Sequence, residues 1–507
     1  MCEPRRLHPI GILFAFARIA RQFAAPTLLA ILVSLIARWG DPDVLRRTLV
    51  VLLALLAIAS LGLAYAVASW ARLTYCTCGN ELRVERGILL RKLTVLPRER
   101  IQSIELRQNV VERLLGLATV KVETAGGREP EVVLSTLTQH DARTLQDWVC
   151  RAPEMAPAVP LAAVDQPAAP LQHASLSRSD LAVAGLTADR VGVALSALGT
   201  LVAMASDLLP WERLSLPTVP LGPSTVLLLL VLVPVLVWGL GLAGTVLAYA
   251  GFRLHSDGTR IVIERGLFER KRTVIPIERI QAVSIDEGPL RQPWSLAQLS
   301  VEYAGYGTGA TESTVLFPLL RRAEVMPFLE RFLPAFAGPL AAAEADGLRR
   351  PPLRARRRYA LRWELLLVVG GLAVLATVLR WPAGAFAVVL LPLAIGLGLA
   401  QYRDAGWYVA GDVLVVRWRT LGRHTALVPR RCVQLIEARA SLLLRRAGLA
   451  TVELRVATGS SWRPFRLRHL AEADARYLLD WVRRPRPRAA VESQSAPHRE
   501  ATPHPAT

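Results

Sequence analysis

The chain has 507 residues, 52% of them hydrophobic, and 61 Lys plus Arg against 41 Asp plus Glu give a formal net charge of +20. Its mean hydropathy of +0.34 argues against an ordinary soluble protein of this length. The five cysteines show no spacing of a disulfide framework and fit a reducing compartment.

From the N-terminus, 7–22 reads as an interfacial lead-in. Arg18 and Arg21 break its apolar stretch, so it does not read as a signal peptide. Apolar runs then occur at 23–39, 48–70, 190–209, 224–250, 363–379 and 383–401. A helix needs roughly 20 apolar residues to cross a bilayer. The runs predict about six spans arranged as three hairpins. Trp39, Trp70, Trp211, Trp363 and Trp381 lie at their edges, where aromatic rings favour the lipid–water interface.

Between the runs the sequence repeats. Glu85–Arg86–Gly87 returns as Glu264–Arg265–Gly266. Pro97 with Ile101–Gln102 returns as Pro276 with Ile280–Gln281, then as Pro429 with Val433–Gln434. Gly116–Leu117–Ala118–Thr119–Val120 recurs as Gly448–Leu449–Ala450–Thr451–Val452. Three copies of one unit predict the layout. Residues 1–70 are the lead-in and first hairpin, 71–150 the first soluble domain, and 151–180 an Ala/Pro linker. Residues 181–250 are the second hairpin, 251–334 the second domain, and 335–362 a linker with an arginine-rich end. Residues 363–401 are the third hairpin, 402–484 the third domain, and 485–507 a polar, disordered tail.

Within a copy, Leu82 and Val84 alternate with charged residues, and Ile104–Leu106 and Val120–Val122 do the same. Such alternation broken by glycines predicts antiparallel strands. Ala142, Leu145, Trp148 and Val149 then follow at helical spacing. Phe328, Leu329 and Phe332, and Leu478, Leu479 and Trp481, repeat that ending. Each domain is expected to be a sheet closed by one C-terminal helix. Pro97, Pro276 and Pro429 are read as fixing a strand start, since proline locks one backbone angle and donates no hydrogen bond. Gln102, Gln281 and Gln434 are read as structural, satisfying backbone groups beside a turn.

Val84–Leu89, Pro97–Gln102 and Leu115–Val120, with Val262–Leu267 and Pro276–Gln281, carry a pattern that resembles the bacterial pleckstrin-homology domain of YdbS/YdbT-like membrane proteins. The resemblance covers essentially the whole chain. It implies three tandem bent antiparallel sheets, each capped by a C-terminal helix and preceded by an α-helical membrane hairpin. It implies no catalytic residues. The third copy departs from the pattern, with Arg417–Trp418–Arg419 in place of Glu–Arg–Gly and Cys432 before Val433.

No chemistry-bearing constellation accompanies the repeats. Gly239, Gly241 and Gly244 spell a dinucleotide fingerprint but lie inside an apolar run with no preceding strand. Cys76 and Cys78 have no histidine or second cysteine pair nearby. No catalytic, metal or cofactor residues are expected, and the chain is read as not an enzyme.

Charge is concentrated late. The stretch 349–362 holds Arg349, Arg350, Arg354, Arg356, Arg357, Arg358 and Arg362 and no acid. The third domain has 16 Arg against 7 acids, a net of +9, whereas the first has 12 basic residues against 10 acids, a net of +2. The arginine cluster is the candidate contact for anionic lipid headgroups. No base-reading motif accompanies it, so nucleic acid is not an expected partner, and no protein partner can be named. Positive charge on the domain side places the domains and both termini in the cytoplasm of a bacterial inner-membrane protein. The expected role is a non-enzymatic binding or scaffolding module of the envelope. The rival reading is a transporter or channel-associated component.

Overall fold

The computed structural model describes residues 5–14, 16–17, 43–88, 90–124, 132–150, 172–187, 223–303, 314–361, 370–371, 384–457 and 462–484. In the first domain, β1 (Arg5–Arg6), β2 (Thr74–Cys78), β3 (Glu81–Arg86) and β4 (Lys92–Pro97) form one antiparallel sheet. Strands β5 (Ile101–Gln108), β6 (Leu117–Thr124) and β7 (Val132–Thr138) form the second layer, and helix Gln139–Cys150 closes the domain. The sequence alternation is the cause. Leu82, Val84 and Leu96 from the first sheet meet Ile104, Val120, Val122 and Leu134 from the second in one buried cluster.

The second domain repeats the plan. It has β8 (Gln172–Ser175), β9 (Arg253–Ser256), β10 (Arg260–Arg265), β11 (Arg270–Pro276), β12 (Ile280–Glu287), β13 (Leu296–Tyr303), β14 (Thr314–Arg321) and helix Val325–Phe332. The third has β15 (Gly406–Ala410), β16 (Val413–Arg419), β17 (Arg423–Pro429), β18 (Val433–Arg439), β19 (Leu449–Ala457), β20 (Trp462–Ala471) and helix Glu472–Arg483. The closing helices are anchored as their spacing predicts. Phe332 and Trp481 are buried, and the Trp481 indole donates to the Gly411 carbonyl at 3.1 Å. Trp148 is half-buried and donates to the Gly79 carbonyl at 3.3 Å.

The domains are joined by shared sheets. Strand β5 pairs with β11, giving a seven-stranded sheet in the order β7-β6-β5-β11-β10-β9-β8. Strand β12 pairs with β17, giving a six-stranded sheet in the order β14-β13-β12-β17-β16-β15. The second layer of each domain is thus continued by the first layer of the next. The hydrophobic cores cross the same joints: Val274 of β11 lies in the first domain's cluster, and Leu427 of β17 lies in the second's.

Pro97, Pro276 and Pro429 end strands rather than start them. Each is the last residue of its strand and leads into a single 3-10 turn, at φ of −60°, −62° and −64°. The residue that cannot donate to the ladder stands where the ladder stops. Gln281 donates to the Arg279 carbonyl at 3.5 Å, the outer limit of a hydrogen bond, and Gln434 is exposed. The side chain of Gln102 lies outside the described set.

The expected α-helical membrane hairpins are corrected: among the described residues no helix is long and apolar enough to cross a membrane. Helices Asp43–Ala71, Pro223–Tyr249 and Gly384–Asp404 precede the three domains. The runs at 23–39 and 190–209 and most of 363–379 lie outside the described residues. Among the described residues, a short helix packs on each of the last two. Gly185 of helix Arg178–Leu186 lies against Leu242, and Tyr359 of helix Leu353–Ala360 lies against Gly398. Ala66, Val237 and Tyr249 are buried by protein, whereas Leu53, Leu56, Leu61, Leu236 and Leu240 of the same helices are exposed. Hydropathy cannot separate a run that faces lipid from one that packs on its own chain.

The stretches read as linkers carry structure. Strand β8 falls within 151–180. Helix Pro334–Ala345 places Phe336, Leu340 and Ala343 in the second domain's core. Cys78 is disulfide-bonded, while Cys76 and the buried Cys432 are in no disulfide. Spacing along the chain did not reveal that pairing, because it depends on proximity in the fold.

Candidate functional site

The Glu–Arg–Gly motif ends β3 and β10 at a tight turn. Gly87 and Gly266 adopt φ of +116° and +107°, and a Cβ there would lie 1.9 and 2.0 Å from the carbonyl oxygens of Leu90 and Glu269. Only glycine fits this turn. The third copy lacks the glycine and carries its ladder one pair further, to Arg419 opposite Arg423.

The second domain's turn is docked on the helix before it. The Gly266 amide donates to the Ala250 carbonyl at 2.9 Å, and the Leu267 amide donates to the Leu247 carbonyl at 3.0 Å. The short helix Val110–Leu114 of the first domain stands beside it, with Arg113 donating to the Leu267 carbonyl at 3.4 Å. Large apolar side chains on both turns face solvent: Val111, Leu114, Leu267 and Phe268. The arrangement recurs one domain on, where Gly422 lies against Glu287 and Gly288, and Leu290, Trp294 and Leu421 are exposed. Leu442 and Leu443 of the third domain repeat it beside helix Leu353–Ala360.

A cleft of about 240 Å³ opens between these turns at the joint of the first two domains. Seven basic residues line it (Arg113, Arg143, Arg253, Arg265, Arg270, Lys271 and Arg272) with Glu264 as the one acid. Glu264 pairs with Arg272 at 3.5 Å. Arg265 lies over the Tyr249 ring at 5.1 Å, held by cation–π attraction. Arg143, Arg253 and Arg270 have no acidic partner among the described residues. Chemically, the cleft offers several guanidinium donors to an anion. Among the described residues no group of His, Cys, Asp or Glu is placed to hold a metal ion.

The second joint has the same topology and a different electrostatic outcome. Glu287 is buried and bridges Arg322, at 3.1 Å, and Arg423. His424 meets Asp286 at 2.7 Å, and Arg419 pairs with Asp404. Charge is compensated there and left over at the first joint.

The arginine cluster at 349–362 splits in two. Arg349 lies over the Trp407 ring at 5.3 Å, and its backbone bridges to Trp407. Arg354 donates to the Gly448 carbonyl at 3.0 Å, and Arg358 donates to the Leu443 carbonyl at 2.7 Å. These three clamp the third domain. Arg350, Arg356 and Arg357 are exposed, and Arg362 lies outside the described residues.

Sequence reasoning missed the cleft. Apart from Arg270–Lys271–Arg272 of β11, its basic residues come singly from the closing helix, β9, β10 and the short helix Val110–Leu114, so the charge is dispersed along the chain. The usable signal was the apolar pair Leu267–Phe268 directly after a Glu–Arg–Gly turn, where a loop is expected to be polar.

Comparison with known proteins gives the same organisation. A family model described as "Bacterial PH domain" matches residues 23–152, 197–334 and 364–486. The chain is 26% identical over 501 residues to "UPF0699 transmembrane protein YdbT" of Bacillus subtilis (strain 168), covering 95% of this chain and 98% of that protein. No solved structure matches.

Proposed function

The chain belongs to the bacterial PH domain family, and from that premise we propose that it is a non-enzymatic, membrane-associated scaffold that holds an anionic lipid headgroup in the cleft between its first two domains. The reading rests on one observation: Arg143, Arg253 and Arg270 stand without acidic partners among the described residues in a cleft bordered by exposed Leu267 and Phe268. Basic groups attract the anionic leaflet, and apolar tips enter the headgroup region. The name of the Bacillus relative supports a place at a membrane.

The test is calorimetric titration of the full-length chain with short-chain phosphatidylglycerol below its micelle concentration, and with the phosphatidylcholine of equal chain length. The anionic lipid should bind saturably and the zwitterionic one weakly. Each basic group near a lipid surface contributes about 1 kcal/mol, so R143A/R253A/R270A should weaken binding up to ~100-fold. Equal affinity for both lipids, or a triple variant that binds as before, would overturn the reading.

A further inference from the structure

The two internal joints define a rule, and two further sheet edges match it without a partner among the described residues. At each joint the first strand of a second layer, β5 or β12, pairs with the last strand of the next domain's first layer, β11 or β17. The strand of the first domain that corresponds to β11 and β17 is β4, and the strand of the third that corresponds to β5 and β12 is β18. Among the described residues each stands at the edge of its sheet, β4 paired with β3 alone and β18 with β19 alone.

Their side chains carry the joint's chemistry uncovered. Aligned on Pro97, Pro276 and Pro429, Val95 corresponds to Val274 and Leu427. Those two are 3% and 0% exposed in the core of the preceding domain, whereas Val95 is 39% exposed and its neighbour Leu93 is 61% exposed. On the other edge, Leu435 is 38% exposed, while its counterparts Ser103 and Ala282 are 2% and 0% exposed. Ala438 is exposed where Leu106 and Ile285 are buried. The polar residues match as well. Arg107 pairs with Glu105 at 2.8 Å along β5, and Arg439 pairs with Glu437 along β18 with Nε at 2.9 Å. Lys92 and Thr94 stand where Lys271 and Thr273 face that pair across the joint.

We propose that β18 of one copy of this chain pairs antiparallel with β4 of a second copy, continuing the domain array from molecule to molecule. The internal register fixes the external one. Ile104 opposes Val274 and Val283 opposes Leu427, so Ile436 opposes Val95 of the next copy. The contact is heterologous and propagates: it closes into a ring or runs on as an open array. It also covers two edges whose exposed apolar residues would otherwise invite indiscriminate strand pairing. Glu269, which neutralises Arg107 and Lys271 at the first internal joint, is replaced by Leu90. The intermolecular joint is therefore weaker than the first internal one, and assembly depends on concentration.

The experiment uses the full-length chain with Cys76 changed to Ser, in mild detergent, and two added cysteines. V95C/I436C should give a ladder of disulfide-linked dimers, trimers and higher species on mild oxidation. Cross-strand pairs directly opposite have Cβ atoms about 4.5–5.5 Å apart, within reach of a bridge after a small adjustment. A mixture of V95C chains with I436C chains should stop at dimers, and V95C/R439C should give no ladder. In the unmodified chain, light scattering should show mass rising with concentration. V95K and L435K, both at positions already exposed, should abolish the rise while leaving the melting temperature in place. A chain that stays monomeric without forming the ladder, or V95C alone dimerising as well as the mixture, would overturn the proposal.

Discussion

Val274 of the second domain stands directly across the strand pair from Ile104 of the first, and both are buried in the first domain's core. A core completed by a neighbouring domain couples the stability of the two. Burying a valine side chain stabilises by roughly 1.5–3 kcal/mol, and V274A forfeits a large part of that. Hydrogen exchange should therefore accelerate in β5 and β6 of the first domain, not only in β11. Acceleration confined to the second domain would mean that the shared core is not energetically shared.

The apolar turns make a second testable point. An environment-sensitive fluorophore at F268C should shift to the blue on incorporation of the chain into anionic vesicles. The same probe at T259C should not. Thr259 stands at the opposite end of β10, about 20 Å away at the rise of an extended strand. Equal shifts at both positions would show that the turn has no special relation to the lipid.

Glu123 sets a pH dependence. Burial pushes its carboxyl up to about 8, against the opposing effect of the hydrogen bond from Ser103. Its charge is felt across the joint: burial first, and then the Glu123 charge, push the Tyr303 hydroxyl of the second domain upward. The folded state holds a proton that the unfolded state releases near pH 4.5. Stability contributed by the neutral carboxyl is thus fully present below that pH and is lost as pH rises towards 8. E123Q should raise the melting temperature by several degrees at pH 8 and change it little at pH 5. The same shift at both pH values would remove Glu123 as the titrating group.

Gly398 permits the arginine helix to lie close. A Cβ at that position would sit 2.1 Å from the Tyr359 carbonyl oxygen, which is backbone and cannot swing aside. G398A should cost about 1–3 kcal/mol of local stability by overpacking. It should also loosen the contacts of Arg354, Arg358 and the Tyr359 hydroxyl with the third domain. Tryptic cleavage after Arg356 and Arg357 should become faster. An unchanged cleavage rate would place the clamp elsewhere.

The sequence by itself determined the repeat, the strand alternation and the closing helices. Those are local consequences of period and turn chemistry: Leu82 and Val84 point inward on any sheet of that register, and Gly87 and Gly266 turn wherever they stand. It could not decide which strand edges meet. The backbone groups of β5 accept any partner edge, and the preference for β11 comes from Val274 and Ile104 filling one core in three dimensions. The cleft followed from that choice, since Arg143 and Arg253 are 110 positions apart and are neighbours only because two sheets became one. For the hairpins, hydropathy recorded only that each run is apolar. In the tertiary structure Ala66, Val237 and Tyr249 of these helices are buried by protein, whereas Leu53, Leu61, Leu236 and Leu240 are exposed, because successive residues face different sides of a helix and only its neighbours decide which side is covered.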